Sequence, residues 1–151
     1  MKRFILPLLF TFLTVLSFAQ SNPVGWRITI QNGINDSIKE VHLDANIDDG
    51  WQLYSNDFRP DLGPIRAEFM FVVRKEYSLL GGTIPQGSKR KYDEIWDGEY
   101  AYFEKKAKFI QQISTKMDNP PIQCNITYQV CNTEDGKCIP FETSLKINTE
   151  Y

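Results

Sequence analysis

The chain has only one histidine, His42, and three cysteines in 151 residues. That scarcity narrows the chemistry at once. A zinc site needs about four well-spaced nitrogen, sulfur or oxygen ligands, more than His42 and a spaced cysteine pair provide, so no metal or other cofactor is expected. A lone histidine on the polar side of a strand reads as a surface residue rather than an acid–base catalyst. A Gly-rich phosphate loop and a serine-centred nucleophile motif are both missing, which removes the usual signatures of nucleotide binding and acyl transfer. Positive charge is not in excess either, with 17 Lys and Arg against 19 Asp and Glu. The basic clusters at 89–91 and 105–106 lie beside acidic and aromatic residues and read as solvated strand or turn, so no nucleic-acid partner is expected. Beyond the first 18 residues no apolar run approaches the roughly 20 needed to cross a bilayer.

That first segment fixes the compartment. Lys2 and Arg3 precede an almost wholly apolar stretch over 4–18, and Ser17-Phe18-Ala19 offers small residues at both recognition positions of a signal-peptidase site. Residues 1–19 are therefore read as a signal peptide cleaved near Ala19, and residues 20–151 as one periplasmic or secreted domain without membrane insertion. Taking Lys2 and Arg3 from the 17 basic residues leaves 15 against 19 acidic, an acidic mature chain whose partners are expected to be proteins. In an oxidising compartment cysteines form lasting disulfides.

Along the mature chain apolar residues recur at every second position, the period of half-buried strands. Val41, Leu43, Ala45 and Ile47 share one face, with Glu40, His42, Asp44 and Asn46 on the other. Residues 51–54, 69–73, 91–95, 99–113, 122–130 and 139–147 also read as strands or parts of strands, separated by turn formers such as Asn32-Gly33, Gly63-Pro64, Gly81-Gly82 and Asp97-Gly98. Seven or more short strands at this spacing predict an all-β, immunoglobulin-like antiparallel β-sandwich. Of Trp26, Trp51 and Trp96, at least two are expected to pack in the core rather than form a carbohydrate-binding face.

The last two strands carry the cysteines. In 122–131 the even positions Ile122, Cys124, Ile126, Tyr128 and Val130 make the apolar face, so Cys124 belongs to the core as a free thiol and Cys131 to the polar side. In 138–147 the apolar set is Ile139, Phe141, Leu145 and Ile147, which puts Cys138 on the polar side too. Asp135-Gly136 signals a turn between them, and a hairpin would set the two thiols opposite each other, within reach of a disulfide. Spacing alone leaves two functions open. An exported C-x6-C pair is more often structural, but an eight-residue loop is a weak staple, constraining the unfolded chain by roughly 2.5 kcal/mol.

The wider sequence adds a resemblance. Residues 127–143, TYQVCNTEDGKCIPFET, resemble the N-terminal periplasmic domain of the thiol:disulfide interchange protein DsbD through Tyr128-Gln129, Cys131, Cys138, Pro140 and Glu142-Thr143. Asp49-Gly50-Trp51-Gln52-Leu53-Tyr54 is similar to that family's Asp-Gly-aromatic-x-Leu-Tyr strand, and Asp93-Glu94-Ile95-Trp96 to its cap loop. The likeness covers about 24–147. It implies a domain that takes reducing equivalents from a thioredoxin-like protein or domain and passes them to oxidised periplasmic proteins, a protein-disulfide reductase component. Cys138 would form the mixed disulfide and Cys131 would resolve it. Tyr54, Asp93 and Glu94 would modulate the pair, and Ile95-Trp96 would cover it as a flap.

Three departures stand out. Ile95 occupies a position where the family commonly has an aromatic, the intercysteine loop is one residue longer, and Gln52 replaces a frequent second tyrosine. Because the chain ends at Tyr151, its reductant is expected to be another polypeptide, a membrane electron-transfer protein among the candidates. The alternative function is a secreted immunoglobulin-like binding module with a purely structural disulfide.

Overall fold

The computed structural model describes residues 21–148; the expected signal peptide, 1–19, lies outside them. The described residues form ten strands: β1 (Val24–Asn32), β2 (Ile38–Ile47), β3 (Trp51–Tyr54), β4 (Glu68–Phe71), β5 (Tyr77–Pro85), β6 (Lys89–Asp93), β7 (Gly98–Phe103), β8 (Lys106–Thr115), β9 (Ile122–Asn132) and β10 (Cys138–Ile147). They form two antiparallel sheets packed as a sandwich, one in the order β1-β2-β8-β5 and one in the order β10-β9-β3-β7-β6, with β4 also paired to β9. No described residue is helical.

The core is what the alternation predicts. Leu43 and Ala45 of β2, Ala107 and Phe109 of β8, Leu53 of β3 and Cys124, Ile126, Tyr128 and Val130 of β9 meet between the sheets. Trp26 packs edge-on against Tyr128 and Phe69 in the same core, with Trp51 beside it. Each large apolar side chain removed from water in this way contributes about 1.5–3 kcal/mol, which is why burial parity dictates strand register.

Three expectations need correction. The run over 99–113 is two strands in different sheets: Lys105, at φ 64°, turns the chain across the sandwich. Buried Phe103, Ala107, Phe109 and Ile113 keep the period of two through the break, so the pattern hides it. Gly81-Gly82 is a bulge inside β5, between Leu80 and Ile84, rather than a turn between strands. Buried Gln111 of β8 satisfies the bulge by donating to the carbonyls of Leu80 and Gly81 and accepting from Thr83 Oγ1. His42 is only 4 % exposed. Its strand lies in the middle of the four-stranded sheet, where β1 and β8 flank the ring, and Nε2 sits 3.0 Å from a Glu40 carboxylate oxygen.

Candidate functional site

β9 and β10 form the hairpin, in register Cys131↔Cys138, Val130↔Ile139 and Gln129↔Pro140. Asn132 organises the connection: its Oδ1 accepts the amides of Glu134 and Asp135, and its carbonyl accepts Gly136 N–H at 3.0 Å. Gly136 has φ 71°, a left-handed conformation natural to glycine. Asn132 N–H donates to Lys137 O, so the ladder's alternation puts Cys131 and Cys138 at the next, non-hydrogen-bonded position, where facing α-carbons are closest. The two cysteines are joined, with α-carbons 4.0 Å apart, and Cys124 is free and buried.

The two sulfurs differ in surroundings. Cys138 is exposed on β10, an edge strand, whereas Cys131 is only 7 % exposed. Both cysteines point away from the sandwich core, as their parity requires. Burial of Cys131 comes from a second, smaller apolar cluster on the outer face: Tyr54, Phe58, Leu62, Tyr100 and Ala101, with Tyr102 against it. Alternation could not reveal this, because Phe58 and Leu62 come from an irregular segment between β3 and β4.

That segment is a closed loop folded over the sheet. Ser55 N–H donates to Ala101 O, and Ala67 N–H returns to Ser55 O at 3.2 Å. Arg66 Nη1 donates to the carbonyls of Phe58 (2.8 Å) and Asn56 (3.3 Å), and Arg90 Nη2 to the Asp57 carboxylate (2.8 Å). Such loops keep their shape through their own internal packing. Gln129 fastens the loop to the cysteine strand: its Oε1 accepts Ile65 N–H at 2.7 Å, and its Nε2 lies 3.9 Å from Cys131 Sγ. Gln52, facing Cys131 across β3, reaches the Glu104 carboxylate, which is paired with Lys89.

Of the residues expected to modulate the pair, Tyr54 belongs to this outer cluster and Asp93 lies near it. Burial, then the nearby Tyr100 and Asp93, push the Tyr54 phenol up to about 12. Burial likewise raises Tyr100, helped by Tyr102 and Asp93. Asp93 Oδ1 accepts the amides of Ile95 (2.8 Å) and Trp96 (3.1 Å), the turn that shapes the 93–97 loop. Glu94 is exposed and Ile95 is 90 % exposed. Trp96 is 40 % exposed, meets Tyr100 edge-on at 6.2 Å, and lies on Gly63 so closely that a Cβ there would stand 2.5 Å from the indole Nε1 and nearer still to the ring carbons. The residues that sequence reasoning left without a role are Phe58, Leu62, Tyr100 and Gln129, and Gly63 reads there only as a turn former. Only Gln129 left a signal, as part of the Tyr-Gln-x-Cys run.

A family model described as "Thiol:disulfide interchange protein DsbD, N-terminal" matches residues 22–150. No curated protein matches the chain. Among solved structures, the DsbD N-terminal domain of Neisseria meningitidis in complex with the PilB N-terminal domain has a TM-score of 0.55 at 17% identity, over 83% of this chain and 84% of that one. The reduced form of the Neisseria meningitidis DsbD N-terminal domain has a TM-score of 0.52 at 18% identity, over 81% and 83%. The N-terminal periplasmic domain of ScsB from Proteus mirabilis has a TM-score of 0.57 at 16% identity, over 88% of this chain and 49% of that one. These likenesses carry the immunoglobulin-like fold.

Proposed function

The chain belongs to the family of N-terminal domains of the thiol:disulfide interchange protein DsbD, and from that membership we propose that Cys131 and Cys138 are its exchanging pair. The domain takes reducing equivalents from a thioredoxin-like donor and hands them to oxidised proteins in the periplasm, after export by the segment ending near Ala19. One observation carries this reading: Cys138 is exposed while Cys131 is buried. Exchange proceeds by thiolate attack through a mixed disulfide, so the sulfur that can be reached is the one that is attacked. Cys138 receives the partner and Cys131 resolves the intermediate. Tyr54, Asp93 and Glu94 modulate the pair, and Trp96, with Ile95, forms the cap beside it. The solved complex of a DsbD N-terminal domain with a PilB N-terminal domain supports a protein partner of this kind.

The test compares Cys131→Ala with Cys138→Ala. Incubated with an oxidised thioredoxin-like protein, Cys131→Ala should accumulate a mixed disulfide on a non-reducing gel, because Cys138 can attack but no second thiol releases the product. Cys138→Ala should accumulate far less. Equal, weak adducts from both variants across several donors, with both melting earlier, would instead describe a structural bridge, worth only a few kcal/mol in so short a loop.

A further inference from the structure

We propose that Gln129 is a positioning residue for the exchange, its side-chain amide holding the covering loop with one end and receiving the thiolate of Cys131 with the other. The proposal rests on the reading that Cys131 and Cys138 exchange. Gln129 lies two residues before Cys131 on the same face of β9. β3 pairs with β9 at 130–132 and β4 at 124–127, so Gln129 occupies the gap where the chain leaves one strand and returns as the other. The loop that crosses this gap passes over Cys131, and Ile65 N–H binds Gln129 Oε1 at 2.7 Å. A backbone N–H can bind only the oxygen end of the amide. The nitrogen end is thereby turned to Cys131 Sγ, 3.9 Å away.

The chemistry gives that orientation a purpose. When a partner thiolate attacks Cys138 Sγ, a new sulfur–sulfur bond forms and the Cys131–Cys138 bond breaks, its electron pair leaving on Cys131 Sγ. The partner's second thiol, once deprotonated, then displaces Cys138. The partner ends as a disulfide and the domain as a dithiol. In the first step negative charge appears on a sulfur enclosed by Tyr54, Phe58, Leu62 and Tyr100. An unpaired anion there is costly, and one N–H donor aimed at it lowers that cost. Titratable groups around this face include Tyr54, Tyr100, Tyr102, Asp93, Lys91 opposite Tyr100, the Glu104–Lys89 pair and the Asp57–Arg90 pair of the loop. Burial shifts the phenols of Tyr54 and Tyr100 away from ionising, and Glu104 is occupied by Lys89 and Gln52. Among the described residues, Gln129 is the side chain hydrogen-bonded to the sulfur. The same bond ties the redox state to the loop, because a Gln129 drawn towards a thiolate still holds Ile65.

Nuclear magnetic resonance tests this on the reduced wild-type protein. The side-chain amide resonances of Gln129 should shift with pH at the midpoint of the Cys131 thiol, followed in parallel by a 13Cβ label. Cys124, whose thiol burial pushes up to about 12, stays outside that window. In Gln129→Met, the Cys131 thiolate fraction at neutral pH should fall roughly tenfold, the size of a lost charge-assisted hydrogen bond. Reduction of the disulfide by dithiothreitol should slow, and Ile65 N–H should exchange faster. Gln129 resonances that stay flat through the Cys131 titration overturn the proposal, with or without a folded variant. So does an unchanged midpoint in a folded Gln129→Met. Neither result depends on a protein partner: failure to exchange with any donor sinks the functional reading, whereas a flat Gln129 beside normal exchange sinks only the role given to the amide.

Discussion

Gly63→Ala is predicted to undock Trp96, the proposed cap. A Cβ at this position would overlap the Trp96 indole, and the backbone there has φ 32°, in the left-handed region disfavoured for alanine by about 1–2 kcal/mol. To restore ordinary carbon contacts of about 3.5–4 Å, the ring must retreat by roughly 1 Å or more. Backbone lies on one side of it and solvent on the other, so it leaves outward. The most that can be lost is its docking energy. Trp96 is 40 % exposed, so some three-fifths of a side chain of roughly 250 Å2, about 150 Å2, is buried, worth up to ~4 kcal/mol at ~25 cal/mol/Å2. That figure is a ceiling, since a denatured chain already buries part of this surface. The expected cost is therefore about 2–4 kcal/mol by urea denaturation, with Trp96 emission moving to longer wavelength, measured against Trp96→Phe to remove the signals of Trp26 and Trp51. In a Trp96→Ala background the same substitution should cost only the backbone part, about 1–2 kcal/mol. Displacing Trp96 also removes the ring packed on Tyr100, so dithiothreitol should reduce the Cys131–Cys138 bridge faster. Equal costs in the two backgrounds would refute the contact between Gly63 and the indole; a folded variant with unchanged reduction rate would refute the cap.

Two further outcomes are expected. Peptide mapping of non-reduced protein should recover the Cys131–Cys138 bridge with Cys124 unalkylated until the chain unfolds, since that thiol is buried and pushed up to about 12; a dominant bridge to Cys124 would refute the register. The Tyr54 phenol is neutral in the fold up to about pH 12 but ionises near 10 in the unfolded chain, so its contribution is intact below pH 10 and is lost between 10 and 12, by about 1.4 kcal/mol per pH unit. Denaturation at pH 9 and 11 should show that fall, and Tyr54→Phe should flatten it; an identical slope in the variant would argue against the burial of the hydroxyl.

A period of two, read along the chain with its turn formers, was enough to determine the sandwich and the inward face of β9 with Cys124, Tyr128 and Val130, because side-chain direction in a strand follows from position alone, and the Asp135-Gly136 turn added the opposition of Cys131 to Cys138. Those are local consequences of the backbone. Tertiary structure decided everything that depends on what lies across a sheet. Lys105 sends 99–113 into two sheets without disturbing the alternation. His42 is buried because β1 and β8 flank it, although its own strand marks it as polar. Cys131 has the parity of a solvent-facing residue, yet Phe58 and Leu62 arrive from an irregular loop to cover it while Cys138 stays open at the edge. Periodicity records which way a side chain points; how deeply it is buried, and hence which of two sulfurs a partner can reach, depends on segments distant in sequence that fold over it.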